Sequence, residues 1–227
     1  MRYNRIFLFF LLFSLLFCSC QRAGAVEEAS GSDPVASLTF LGDSITAHMQ
    51  SRAALAPSQI WATKERYLNL DSRICYARIV APDTGEEELI ADVAARLKPA
   101  HLVITLGVDY GVYYYRHDLS LFAKYYEKLL DVIRAASPDT RIYLQSIFPV
   151  TAESKSITNE MIDNANAVIR EIAQKRNLSY LDTQSVLRDT DGYLKKKYCY
   201  SEDGIHLTDT AYDEILGYIS KKVQNEV

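Results

Sequence analysis

Two short segments, far apart in the chain, carry residue types that together can perform nucleophilic acyl chemistry. Gly42-Asp43-Ser44-Ile45-Thr46 sets a hydroxyl directly after a short apolar run, and Asp203-Gly204-Ile205-His206 sets a carboxylate three residues before an imidazole. A serine hydroxyl is a weak nucleophile at neutral pH. It needs a neutral imidazole to take its proton, and a carboxylate to fix the tautomer of that imidazole. The backbone N–H of Ser44, beside a helix N-terminus, would favour a developing negative charge. Ser44 is thus a candidate nucleophile, His206 the base and Asp203 its orienting partner. The plainer reading is that Asp43 or Ser44 only caps a helix. His48, His101 and His117 are expected as surface or core residues, since His101 opens a strand and His117 lies in a Tyr-rich loop.

These residues can meet only if the intervening elements bring their loops together. Residues 37–41 (SLTFL), 73–80 (RICYARIV), 101–106 (HLVITL), 141–147 (RIYLQSI) and 179–181 are short β-rich runs. Between them lie helical patterns over 45–56, 86–97, 119–136 and 157–176, and a last one capped by Thr208. In 119–136, Leu119, Phe122, Tyr126, Leu129, Leu130 and Ile133 share one face at helical spacing. Strands alternating with helices imply parallel βαβ units: an α/β fold of three layers, with helices on both faces of a five-stranded sheet. Active residues of such sheets lie in loops at the carboxyl ends of the strands. Residues 42–46, 107–111 and 148–151 occupy such loops. Residues 58–67, including Trp61, are expected as an insertion near the first crossover. No internal repeat or interior linker is evident.

Composition limits the remaining possibilities. The chain has 227 residues, 48% hydrophobic and 24% charged, with a formal net charge of −4 and no basic block. Wholesale disorder and a dedicated nucleic-acid binder are excluded on those grounds. Five of the eight Phe lie in the first seventeen residues, whereas fifteen of the sixteen Tyr follow residue 25. Arg2 and Arg5 precede an apolar run over 6–17, the layout of a secretory signal. Phe17-Cys18-Ser19-Cys20 is similar to a bacterial lipobox, which would make residues 1–20 a lipoprotein signal and Cys20 the lipidated residue. Ala23-Gly24-Ala25 offers an alternative cleavage after Ala25. Either reading places the domain outside the cytoplasm, anchored to a membrane by lipid in the first case and secreted in the second. Loss of residues 1–25 leaves 22 basic against 29 acidic residues, a net charge of −7. Residues 21–34 are small, polar and acidic, suited to a tether, and residues 35–227 form the domain. Cys75 and Cys199 remain as isolated thiols or a disulfide pair. No spacing suggests a metal site.

The blocks GDSIT at 42–46 and DGIH at 203–206, in that order and on this α/β pattern, resemble those of the GDSL/SGNH hydrolase superfamily. The resemblance covers about residues 36–220. It implies a flavodoxin-like α/β/α sandwich and a serine hydrolase with Ser44, His206 and Asp203 in the roles above. It also implies activity on esters, commonly acetyl or acyl groups on sugars, lipids or cell-wall polymers, without metal or organic cofactor. Two blocks depart from it. Where the superfamily has G-x-N-D after the central strand, this chain has Gly107-Val108-Asp109-Tyr110. An ionised Asp is acceptor-only, so Asp109 is protonated, points elsewhere, or serves different chemistry. Gly85, in PDTGEE, stands in the topological place of the other oxyanion block. In this fold a Cys75–Cys199 bridge would staple the 203–206 loop.

The expected function is an exported serine esterase removing acetyl or short acyl groups from a carbohydrate or cell-wall substrate. An acyltransferase on the same scaffold and a non-catalytic carbohydrate-binding protein are the alternatives. The tyrosines of residues 110–115 would stack on a sugar ring or merely pack on the next helix. Arg116 would bind an anion or pair with a surface acid.

Overall fold

The computed structural model describes residues 34–225 and, within that span, all side chains but that of Asp109. The expected signal, Cys20 and all but the last residue of the tether lie outside those residues. Strand β1 (Leu38–Gly42) leads directly into helix α1 (Ser44–Arg52), and the two-residue strand β2 (Ile60–Trp61) follows. Strands β3 (Arg78–Val80) and β4 (Glu87–Leu89) come next, then α2 (Ile90–Leu97), β5 (His101–Thr105) and α3 (Leu119–Ala136). The chain continues through β6 (Arg141–Gln145), α4 (Asn159–Lys175), β7 (Ser179–Leu181), α5 (Gln184–Leu187) and α6 (Asp209–Gln224).

Five strands form one parallel sheet in the order β2-β1-β5-β6-β7. Alternation along each strand divides the core in two. Leu41, Leu102, Ile104, Ile142 and Leu144 pack with buried residues of α2, α3 and α4. Leu38, Phe40, Val103, Tyr143 and Leu181 pack with α1 and α6. A parallel strand buried on both faces needs apolar residues at successive positions, and that is why runs such as HLVIT show no polar alternation. Full burial of a side chain such as Phe40 or Phe122 contributes about 1.5–3 kcal/mol. The expected three-layer α/β/α architecture is the observed one.

Helix starts follow side-chain chemistry. Asp118 accepts from Ser120 N, Thr158 from Met161 N and Thr208 from Ala211 N, capping α3, α4 and α6.

Three sequence expectations need correction. Residues 73–80 are not a central strand: Ile74–Tyr76 is a turn of 3-10 helix, and Arg78–Val80 pairs antiparallel with Glu87–Leu89. The helix expected over 86–97 therefore begins only at Ile90. The second strand of the main sheet lies inside the supposed insertion, where Ile60 and Trp61 pair with Phe40 and Leu41. The Trp61 ring is buried in the core.

From β1 the chain moves to β2 on one side and then to β5 on the other. The carboxyl ends of β1 and β5 thus flank the topological switch point, where a crevice opens in doubly wound sheets.

Candidate active site

Gly42 ends β1 where no side chain fits, since a Cβ there would lie 2.2 Å from Thr105 O of the neighbouring strand. Asp43 follows, almost wholly buried. Its Oδ1 accepts from Ile45 N at 3.2 Å and caps α1. Its Oδ2 accepts from Gly107 N and Val108 N, both at 3.2 Å. One carboxylate therefore ties the turn after β1 to the turn after β5. Ser44, the first residue of α1, has an N–H without an intrahelical acceptor by position.

Gly107 adopts φ +119°, and a Cβ on it would press against Phe122 Cε2 at 2.9 Å. The left-handed backbone turns β5 into a single π turn, Val108–Val112, that carries Asp109 and Tyr110. The Gly107 N–H is taken by Asp43. Gly85 fares similarly. It lies in the β3–β4 turn with φ +75°, and its N–H donates to Ala81 O at 2.8 Å.

On the other side, the 203–206 loop rests on the loop after β6. Thr151 N donates to Gly204 O at 2.9 Å, and a Cβ on Gly204 would meet Thr151 Oγ1 at 2.5 Å. Asp203 Oδ1 accepts from Ile205 N at 2.7 Å, from His206 N at 3.2 Å and from the Ser201 hydroxyl. Its Oδ2 lies 2.6 Å from His206 Nδ1. Burial pushes the Asp203 carboxyl upward. The hydrogen bonds from Ser201, Ile205 and His206 outweigh that and hold it down to about 2. An ionised acceptor at this distance keeps a proton on Nδ1 and leaves the lone pair of a neutral ring on Nε2, which lies 3.3 Å from Ser44 Oγ. The structure thus brings together Ser44, His206 and Asp203, three residues up to 162 positions apart.

Sequence reasoning missed the residues around that imidazole. His48, expected as a bystander, has its ring centroid 4.7 Å from that of His206. Tyr200 lies 6.1 Å from both rings, and the Arg52 guanidinium sits 3.7 Å over Tyr200. His48 is held below its ordinary value by burial first, then by His206, Arg66 and Arg52, with Asp203 opposing. The available signal was helical spacing: His48 is four residues after Ser44, on the same face of α1.

Tyr110, on the π turn after β5, is exposed and stacks with Tyr114. Arg116 folds back 4.2 Å over Tyr113 and donates to its carbonyl. Cys75 and Cys199 are free thiols belonging to opposite faces of the sheet, the first of the two alternatives left open for them. Among the described residues, no helix is long and apolar enough to cross a membrane.

The sequence profile of the GDSL-like lipase/acylhydrolase family matches residues 40–214. No curated protein matches the chain. Among solved structures, a GDSL-like lipase from Bacteroides thetaiotaomicron is similar over 84% of this chain and 88% of that one, with 16% identity and a TM-score of 0.56. A carbohydrate esterase family 3 protein from Talaromyces cellulolyticus is similar over 83% and 96%, with 16% identity and a TM-score of 0.55. A peptidoglycan O-acetylesterase is similar over 60% and 40%, with 10% identity and a TM-score of 0.50. At such identities the likeness is one of fold.

Proposed function

The chain belongs to the GDSL-like lipase/acylhydrolase family, and from that premise we propose that it is an exported serine esterase. It removes acetyl or short acyl groups from a carbohydrate or cell-wall polymer. The observation that carries this reading is the contact series from Asp203 through His206 to Ser44, at 2.6 and 3.3 Å. The carbohydrate esterase and the peptidoglycan O-acetylesterase of the same fold support the substrate class.

His206 Nε2 takes the Ser44 proton as Oγ attacks the ester carbonyl. The tetrahedral oxyanion faces the N–H of Ser44 and the positive end of α1. Asp203 stabilises the imidazolium and holds its ring in place. His206 then hands the proton to the leaving sugar oxygen, and the acyl group remains on Ser44. Water, deprotonated by the same nitrogen, attacks that acyl carbon and restores the serine.

Release of p-nitrophenol from p-nitrophenyl acetate by the wild type, beside Ser44→Ala, tests the chemistry. Equal turnover by the two proteins would reject it. Export rests on Arg2, Arg5 and the apolar run that follows, and lipid anchoring on Cys20. Metabolic labelling with palmitate that Cys20→Ala abolishes supports the anchor, whereas a wild type that takes up no label would refute it and favour cleavage after Ala25.

A further inference from the structure

We propose that the cavity walled by Tyr67, Asn69 and Tyr76, with the tyrosine row that leaves it, is a saccharide subsite which holds the polymer bearing the ester. The inference rests on the esterase reading above and deepens it by naming where the substrate binds beyond the scissile bond.

The cavity encloses about 430 Å³ between residues 63–78 and Glu87. Tyr67 and Tyr76 stand exposed in its wall, Tyr76 with 74% of its surface open to solvent. Large rings are normally buried or partnered, so exposed ones around a hollow need a reason. Asn69, in the same wall, carries an amide, a group able both to donate to and to accept from a sugar hydroxyl.

The chemistry of the wall selects the ligand. A polyol ring presents flat C–H faces to aromatic rings and hydroxyls to the polar groups between them. An acyl chain would require an exposed aliphatic lining; Leu68 and Ile74 border the cavity but are almost wholly buried, so Tyr67 and Tyr76 supply its large exposed apolar faces. Charges of both signs share the wall, with Arg73 paired to Asp71 at 2.9 Å, so no single-sign field selects an ionic ligand.

A row of rings also leads from the cavity to the turn after β5. The Tyr67 ring lies 5.6 Å from Tyr110, and the Tyr110 ring 5.3 Å from Tyr114 and nearly parallel to it. Leu70 N donates to Tyr110 O at 3.3 Å. Tyr110 belongs to the π turn whose first amides are held by Asp43, the residue before Ser44. A chain lying along Tyr67, Tyr110 and Tyr114 therefore follows the turn that Asp43 ties to the start of α1.

Two readouts test the proposal in the full chain. The first is binding of xylohexaose and chitohexaose, by calorimetry, to Ser44→Ala with and without Tyr67→Ala; it needs no turnover. At least one hexasaccharide is expected to bind saturably, and Tyr67→Ala to weaken it about tenfold. The second is the ratio of kcat/KM on an acetylated oligosaccharide to that on p-nitrophenyl acetate. Tyr67→Ala is expected to lower this ratio about tenfold, and Tyr67→Phe, which keeps the ring, to restore it to within about twofold. Binding of neither hexasaccharide, or a ratio unmoved by Tyr67→Ala, overturns the subsite. Hexasaccharide binding that depends on Tyr67 in a protein without esterase activity would support the subsite while rejecting the esterase.

Discussion

Asp43→Asn probes the joint on which the site is built. The substitution preserves shape, so its effect measures chemistry alone. Asp43 is almost wholly buried, and its carboxylate accepts from Ile45, Gly107 and Val108. An amide has one acceptor oxygen and one donor nitrogen, so it cannot satisfy both sides. If the oxygen faces Gly107 and Val108, two charge-assisted bonds become neutral, at about 1 kcal/mol each, and the α1 cap is lost, at about 1 kcal/mol more. If the nitrogen faces them, two buried N–H groups lose their acceptor, at about 1–3 kcal/mol each. The first orientation costs about 3 kcal/mol and the second about 2–6 kcal/mol, so about 3 kcal/mol lies within both. For a domain of this size each kcal/mol moves Tm by about 2–4 °C, so a fall of about 6–12 °C is expected by calorimetry. Turnover of p-nitrophenyl acetate should fall too, because the turn carrying Asp109 and Tyr110 loses its tether to Ser44. Relief from burying a negative charge acts in the opposite direction. A Tm at or above the wild-type value would show that this relief dominates and would refute the account of Asp43 as the anchor.

Two other predictions concern neighbouring residues. Asp109→Asn supplies an amide donor where an ionised carboxylate can only accept; esterase kcat is expected to hold or rise, by at most about 10²–10³-fold, and a collapse in kcat would show that the carboxylate has a catalytic task of its own. His48 is held below its ordinary value of 6.5 chiefly by burial. The folded state then binds fewer protons than the unfolded state, so this contribution to stability is full above about pH 6.5 and falls as pH drops below it. Tm measured from pH 7.5 to 5 should decline less steeply in His48→Gln than in the wild type, whereas identical slopes would contradict the assignment. His101 titrates with the same sign, lowered by burial and Arg141, and is present in both proteins.

What the sequence reveals of this fold follows element length. Helix α3 repeats its apolar positions over 18 residues, long enough for a 3.6-residue period to be unmistakable. Strands β5 and β6 each hold three successive apolar residues, Leu102–Ile104 and Ile142–Leu144, whose neighbours on both faces make polar alternation unnecessary. Strand β2 has only two residues and no period to detect. Residues 73–80 are rich in β-formers, yet Ile74 and Ile79 reach the core from a 3-10 turn and a separate hairpin. That is tertiary context overriding propensity.

The site divides the same way. The GDSIT and DGIH blocks are local patterns, open to recognition from residue types alone. Asp43 meeting Gly107 and Val108 spans more than sixty positions, and no local rule links them. Gly85 stands at a suitable point along the chain, but its N–H is consumed within its own hairpin turn. The Tyr67–Tyr110 contact likewise depends on the path of residues 63–71, which the misplaced second strand concealed.

The central claim is that Ser44 is the nucleophile and that His206 activates it. A fluorophosphonate reacts covalently with an activated serine and with little else, so peptide mapping after labelling reads that claim directly. The account predicts one adduct, on Ser44, with the labelling rate in His206→Ala reduced by about 10²–10⁴-fold. An adduct on another residue, or equal labelling of Ser44 with and without the imidazole, would contradict it.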